Sequence, residues 1–191
     1  GRSAAEKLGA TPLTLDITDD ASVAAAAATV AAAGGLDVLV NNAAIAGPIT
    51  AVGDVTGPIM RDLFDTNVFG VVRMMHAFLP LLEKSPAPVV VNVSSGLGSI
   101  DRSVDPAALE SKVPALAYGS SKSAVNMLTV RYAQAYPAIR INIINVRLYP
   151  RLTASRIAPV RRSLCSLNHK QIPVIANRIS AEAKAKRGFV A

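Results

Sequence analysis

Tyr118 and Lys122 stand four residues apart in the run Tyr118-Gly119-Ser120-Ser121-Lys122, and on a helix that spacing puts phenol and ammonium on one face. A free phenol, with a pKa of about 10, is a poor base near neutrality, and a neighbouring cation favours its ionised form. The pair reads as a general acid/base, although Tyr and Lys at this spacing also occur on exposed helices that do no chemistry. Ser94-Ser95 closes the apolar run Val89-Val90-Val91-Asn92-Val93. At the C-terminal end of a buried strand, where open parallel sheets bind ligands, such a serine can donate to a carbonyl oxygen; in isolation it reads more readily as a turn or capping residue. Asn67 lies between Phe64 and Val71 on an apolar stripe. A buried amide must be hydrogen-bonded, so it either closes a backbone break or holds water in a polar network. Asn41-Asn42-Ala43-Ala44 follows another apolar run and offers small residues where a ligand could approach the backbone. Asp16 could accept from an amine or cap the helix that follows it.

These side chains need elements to hold them. Thr14–Ile17, Val38–Val40 leading into Asn41, Val89–Ser94 and Ile139–Ile144 are short, β-branched and without strict alternation, as expected of parallel strands buried on both faces. Residues 20–33 are Ala-rich with Asp19 and Asp20 at the front, where carboxylates favour a helix N-terminus. Met60, Leu63, Phe64, Val68, Val71, Met74, Met75, Phe78 and Leu82 recur at spacings of three and four, which predicts one long helix over 58–83. A further helix is expected over 116–135, with Val125, Leu128 and Tyr132 facing inward. Strand and helix in alternation predict an α/β fold with a doubly wound parallel sheet.

The chain has 191 residues, 51% hydrophobic and 17% charged, which excludes a disordered polyelectrolyte and suits a single packed core. No uncharged stretch reaches 18 residues unbroken by Gly, Asn, Ser or Pro, so a soluble protein without a membrane span is expected. Cys165 is the single cysteine and the histidines are His76 and His169. That set predicts no internal disulfide and no metal centre, and fits a reducing cytoplasm. The net charge of +7 is uneven: residues 1–146 carry a net −2 and residues 147–191 a net +9. The basic end contains Pro150, Pro159 and Pro173, a single late aromatic, Phe189, and no nucleic-acid-binding motif. It is expected to be an irregular tail, with a helix conceivable only over 175–186, and nucleic-acid binding ranks last among the functions.

Taken in order, LDIT, DVLVNNAA, FDTNVFG, VVVNVSSGLGS, AYGSSKSA and RINIIN resemble the short-chain dehydrogenase/reductase family, and its carbonyl-reductase-like members in particular, across roughly residues 3–145. The resemblance implies a Rossmann-like fold and an NAD(P)-dependent oxidoreductase moving hydride between nicotinamide and a small carbonyl or alcohol, with NADP favoured over NAD. It implies that Tyr118 is the general acid/base, that Lys122 lowers the Tyr118 pKa and binds the nicotinamide ribose, that Ser95 positions the carbonyl and that Asn67 supports a water in the proton relay. Asp16 would contact adenine, and Asn42 and Ala43 would lie along the cofactor. A homo-oligomer is compatible with this reading.

Two departures accompany the resemblance. The Gly-rich strand and turn with which the family opens does not precede Gly1, and Gly96-Leu97-Gly98-Ser99-Ile100-Asp101 follows the serine pair and ends in Asp, so it is not that loop. After Asn145 the family continues with Pro-Gly, whereas Val146-Arg147 stands here; motif, periodicity and charge all change at this point, which argues for a change of coding frame or a spliced-in end. The expected organisation is an N-terminally truncated Rossmann-like domain over 1–146 and a basic tail over 147–191. An inactive relative of the family, acting through subunit association, is the alternative.

Overall fold

The computed structural model describes residues 5, 7, 9–48, 50–146 and 189–190. Helix α1 (Asp20–Ala32) starts where Asp19 accepts a hydrogen bond from the Ala21 N–H at 3.0 Å, satisfying one of the amides that a helix N-terminus leaves unpaired. Gly34 and Gly35, both at positive φ, then turn the chain into strand β1 (Val38–Asn41). Helices α2 (Gly57–Phe64) and α3 (Gly70–Leu82) are joined by a π-helical turn, Asp65–Phe69. Strand β2 (Val89–Ser95) leads through a tight turn, Gly96–Gly98, to the short helix α4 (Ile100–Val104). Helix α5 (Leu116–Ala135) and strand β3 (Arg140–Val146) follow. The short strand β4 (Phe189–Val190) completes a parallel sheet of order β3-β2-β1-β4.

Registers Val38↔Val89 through Asn41↔Asn92, and Val89↔Arg140 through Ser95↔Val146, align the carboxyl ends of β1 and β2. Helices α1 and α3 cover one face, where Val23, Ala26, Met75, Phe78 and Leu82 pack against Leu39 and Val90. Helix α5 runs beside β2 and β3, and its Val125 joins the same buried cluster while Leu128 and Tyr132 are half-buried. Among the described residues all three helices gather on the face shared by Leu39, Val90 and Ile141, since Val125 of α5 belongs to the same buried cluster as Val23 and Phe78.

Two expectations are corrected. The segment 14–17 is not a strand: residues 10–16 have no regular secondary structure and a turn follows at 17–18. The free edge of β1 is bonded instead by β4, with Val38↔Phe189 and Leu39↔Val190 in register. The segment keeps a strand's alternation without its ladder, with Leu13, Leu15 and Ile17 half-buried against the core and Thr14 and Asp16 exposed. Arg73 fastens it, donating to the Ile17 carbonyl at 3.3 Å and pairing with Asp20 at 3.0 Å and Asp65 at 2.8 Å. The single helix over 58–83 is likewise interrupted, because the Asn67 side chain bonds to a distant backbone segment and the Gly70 N–H reaches back five residues to the Asp65 carbonyl. Residues 147–188, with the expected helix over 175–186 and most of the basic charge, lie outside the described residues.

Candidate active site

The π-helical turn that interrupts the stripe holds the buried amide of Asn67. Its Oδ1 accepts from the Ile45 N–H at 2.8 Å, and its Nδ2 donates to the Ile45 carbonyl at 2.9 Å and to Ser121 Oγ at 3.0 Å. All three bonds are direct, and they tie the loop after β1 to helix α5. Turns of this kind, one residue wider than α-helical, recur where a helix must present a side chain that regular geometry would misdirect. Ser121 in turn donates to the Tyr118 carbonyl at 2.7 Å.

On α5, Lys122 is 3% exposed and its Nζ donates to the Val93 carbonyl at 2.9 Å, at the strand end that carries Ser95. The same Nζ stands 5.6 Å from the centre of the Tyr118 ring. Tyr118 is half-buried, with the Ser95 hydroxyl close enough to its phenol to favour the ionised form. Ser95, Tyr118 and Lys122 thus converge at the carboxyl end of β2, with Asn67 one hydrogen-bonded residue away through Ser121.

The electrostatics differ from the expectation for the Tyr-Lys pair. Burial pushes the Tyr118 phenol above its ordinary value, against the opposing pull of the Ser95 hydroxyl, and burial pulls the Lys122 ammonium below its ordinary value. Desolvation penalises whichever form is charged, and it is the largest influence on both groups here. Tyr118 is therefore held protonated at neutral pH, ready to give a proton.

Asn42 and Ala43 border a narrow cleft of about 40 Å³ together with Leu15, Ile17, Asn41, Gly70 and Met74. Gly70 lets Ile17 pack closely there, since a Cβ on it would stand 2.6 Å from Ile17 Cδ1 and the Ile17 side chain would have to shift. Asn41 is 8% exposed and donates through Nδ2 to Asn92 at 2.7 Å, while its Oδ1 has no hydrogen-bond partner among the described residues. Asp16 stands apart from this group. It is exposed and does not line the cleft, and its carboxylate accepts from the N–H and hydroxyl of Thr18 at 2.9 and 2.7 Å, which lowers its pKa. Among the described residues no cluster of His, Cys, Asp and Glu is arranged to hold a metal ion.

The sequence reading missed the polar groups that hold these side chains. Ser121 joins Asn67 to α5, and Asn126 joins Ser94 to Gly98, with Ser94 Oγ–Asn126 Oδ1 at 2.6 Å and Asn126 Nδ2–Gly98 O at 3.0 Å. Helical spacing was the available signal, since Asn126 follows Lys122 by four residues and lies on the face that carries Tyr118.

A family model described as short chain dehydrogenase matches residues 2–159, and the chain belongs to that family. It is 42% identical over 126 residues to the short-chain dehydrogenase/reductase AacuF of Aspergillus aculeatus, a match covering 61% of this chain and 46% of that one. It is 41% identical over 127 residues to the short-chain dehydrogenase anuI of Penicillium roqueforti, covering 62% and 49%. The chain spans about half the length of these curated relatives. Among solved structures it is similar to NADPH-bound carbonyl reductase from chicken fatty liver, with a TM-score of 0.63, 32% identity, and coverage of 78% of this chain and 60% of that one. No helix among the described residues is long and apolar enough to cross a membrane.

Proposed function

We propose that these residues form the catalytic half of an NAD(P)-dependent oxidoreductase that interconverts a small carbonyl compound and its alcohol. The observation that carries this reading is the convergence of a serine hydroxyl, a protonated phenol and a buried ammonium at one strand end of a Rossmann-like sheet. Bound there, the nicotinamide coenzyme supplies or accepts a hydride. Ser95 donates a hydrogen bond to the carbonyl oxygen, and Tyr118 gives that oxygen its proton as negative charge develops on it. Lys122 presents a cation beneath the ring, placed to hold the nicotinamide ribose. Asn67 keeps the loop after β1 and helix α5 at a fixed separation, and its amide supports the proton path through the geometry it holds, both Nδ2 hydrogens being committed to Ile45 and Ser121.

The residues suit the coenzyme unevenly. The cleft beside Asn42 and Ala43, about 40 Å³ and lined largely by apolar side chains, would lie along the coenzyme without enclosing any part of it. A place for the pyrophosphate is not found among the described residues, because the glycines after Ser95 are already packed: a Cβ on Gly98 would stand 2.7 Å from the Lys122 backbone, and the space at Gly96 is filled by the Glu110 carboxylate. Asp16, with its carboxylate turned to Thr18, is the weakest candidate for the adenine contact.

NADP is favoured over NAD by the likeness to the NADPH-bound carbonyl reductase. The inactive, subunit-associating alternative has less support, since the relatives are named as dehydrogenases and reductases. The test follows nicotinamide absorbance while the protein meets a panel of ketones with NADPH or NADH, alone and with a Gly-rich strand-turn-helix joined ahead of Gly1. Ketone-dependent oxidation of NADPH, faster than of NADH, is the expected result; no oxidation in either form would overturn the reading.

A further inference from the structure

Ser95 can act on a carbonyl oxygen only if the strand end carrying it keeps a fixed distance from the helix carrying Tyr118. Neither element does this alone, because Ser95 sits on the last residue of β2, where the ladder gives way to a turn. The Asn126 side chain spans this point. Its Oδ1 accepts from Ser94 Oγ at 2.6 Å, one residue before Ser95, and its Nδ2 donates to the Gly98 carbonyl at 3.0 Å, three residues after it. Ser123 adds a second donor to the same carbonyl at 2.8 Å. The glycine lets the turn lie flat against α5, since any Cβ there would meet the Lys122 backbone.

We infer that Asn126 is a positioning residue for the reaction: its amide clamps the segment 94–98 onto α5 and so sets where the Ser95 hydroxyl stands relative to the Tyr118 phenol. An amide suits the task, because one planar group offers an acceptor and a donor about two ångströms apart and so fixes both flanks of the turn at once. A carboxylate keeps the acceptor for Ser94 and sets a lone pair against the Gly98 carbonyl; a leucine of similar size loses both bonds. Asn126 is half-buried and eight residues beyond Tyr118, and it acts only through Ser95.

This inference rests on the proposed oxidoreductase chemistry, and its test has a readout that needs no turnover. The phenol of Tyr118 is titrated by ultraviolet difference against Tyr118→Phe. The groups that face it are Ser95, whose hydroxyl favours the phenolate, and the Lys122 ammonium beside the ring. If Asn126 sets the Ser95 position, Asn126→Leu raises the Tyr118 midpoint in the same direction as Ser95→Ala does, and the double variant moves it no further. Turnover falls by about tenfold in kcat with KM for the carbonyl within a factor of two, and the double variant is no slower than Ser95→Ala alone, as expected when one residue acts through another. Should Asn126→Leu fail to fold, Ser94→Ala removes one arm of the clamp with a smaller change and raises the midpoint in its place. A Tyr118 midpoint unchanged in folded Asn126→Leu or Ser94→Ala, or effects that multiply with Ser95→Ala, would overturn the inference. A wild-type protein without turnover would overturn the oxidoreductase reading and leave the titration to decide the role of Asn126.

Discussion

Tyr118 is pushed toward its protonated form by burial and held against that trend by Ser95. With its pKa above the ordinary value near 10, the phenol is the proton-bearing species throughout the neutral range. Carbonyl reduction, which consumes that proton, should be flat from slightly acid to neutral pH and decline only on the alkaline side. Alcohol oxidation, which needs the phenolate, should climb with pH without reaching a plateau at neutrality. Initial rates in both directions across pH check the sign, and an oxidation rate already saturated at neutral pH would contradict it. Ser95→Ala removes a donor aimed at developing oxyanion charge and should cost about 3 to 4 kcal/mol, or roughly 10²–10³ in kcat, with little effect on coenzyme affinity. Lys122→Ala should weaken both coenzyme binding and turnover, measured by coenzyme titration and steady-state kinetics. The Tyr118-Lys122 pair and the serine were legible because their chemistry follows from residue type and helical or strand-end spacing. The direction of the Tyr118 shift was not, because it depends on how much water the packed neighbours exclude, a quantity that no local pattern carries.

At the scale of elements, the interrupted helix between Gly57 and Leu82 is the feature that sets the site apart from a plain layered fold. Asn67→Ala leaves the buried Ser121 hydroxyl short of a partner and frees the N–H and carbonyl of Ile45, which lies on an exposed loop where water can replace the amide, so the loss is about 1–3 kcal/mol at the one buried group. Urea unfolding should show a lowered midpoint, and amide exchange at Ile45 should accelerate more than exchange in α1. Equal acceleration in both would mean that the amide contributes only to global stability. Helix α5 was read from sequence with its observed bounds and β2 to within one residue of its end, because Val125, Leu128 and Tyr132 mark an inward helix face and the strand is an unbroken apolar run closed by Ser94-Ser95-Gly96. The π-helical turn was hidden inside a regular apolar stripe. Only the presence of an amide on that stripe hinted at it, and the hint becomes specific only once Ile45, on a separate segment, is brought alongside.

For the molecule as a whole, the core and the sheet edges decide stability. Phe78 is fully buried between α1, α3 and the sheet, so Phe78→Ala should destabilise by about 3–5 kcal/mol, read as a shift in the denaturation midpoint at unchanged slope. Strand β4 covers Val38 and Leu39 at the outer edge of β1, so ending the chain before Phe189 should expose that edge and increase aggregation, measured by light scattering on moderate heating. The misread segment 14–17 belongs to this scale: its residues have the composition of a strand, but a strand exists only where a neighbour offers a ladder, and β4 stands beside β1 in its place. The central claim is that Tyr118 delivers the proton while hydride passes between nicotinamide and a carbonyl carbon. Its most direct test uses NADPH deuterated at the transferable position, a ketone, and the protein joined to a Gly-rich strand-turn-helix, as wild type and as Tyr118→Phe. The expected result is deuterium on the carbinol carbon of the product with the wild type and almost none with Tyr118→Phe, although both forms bind the coenzyme equally. Undiminished transfer by Tyr118→Phe, or none by a wild type that binds NADPH, would contradict it.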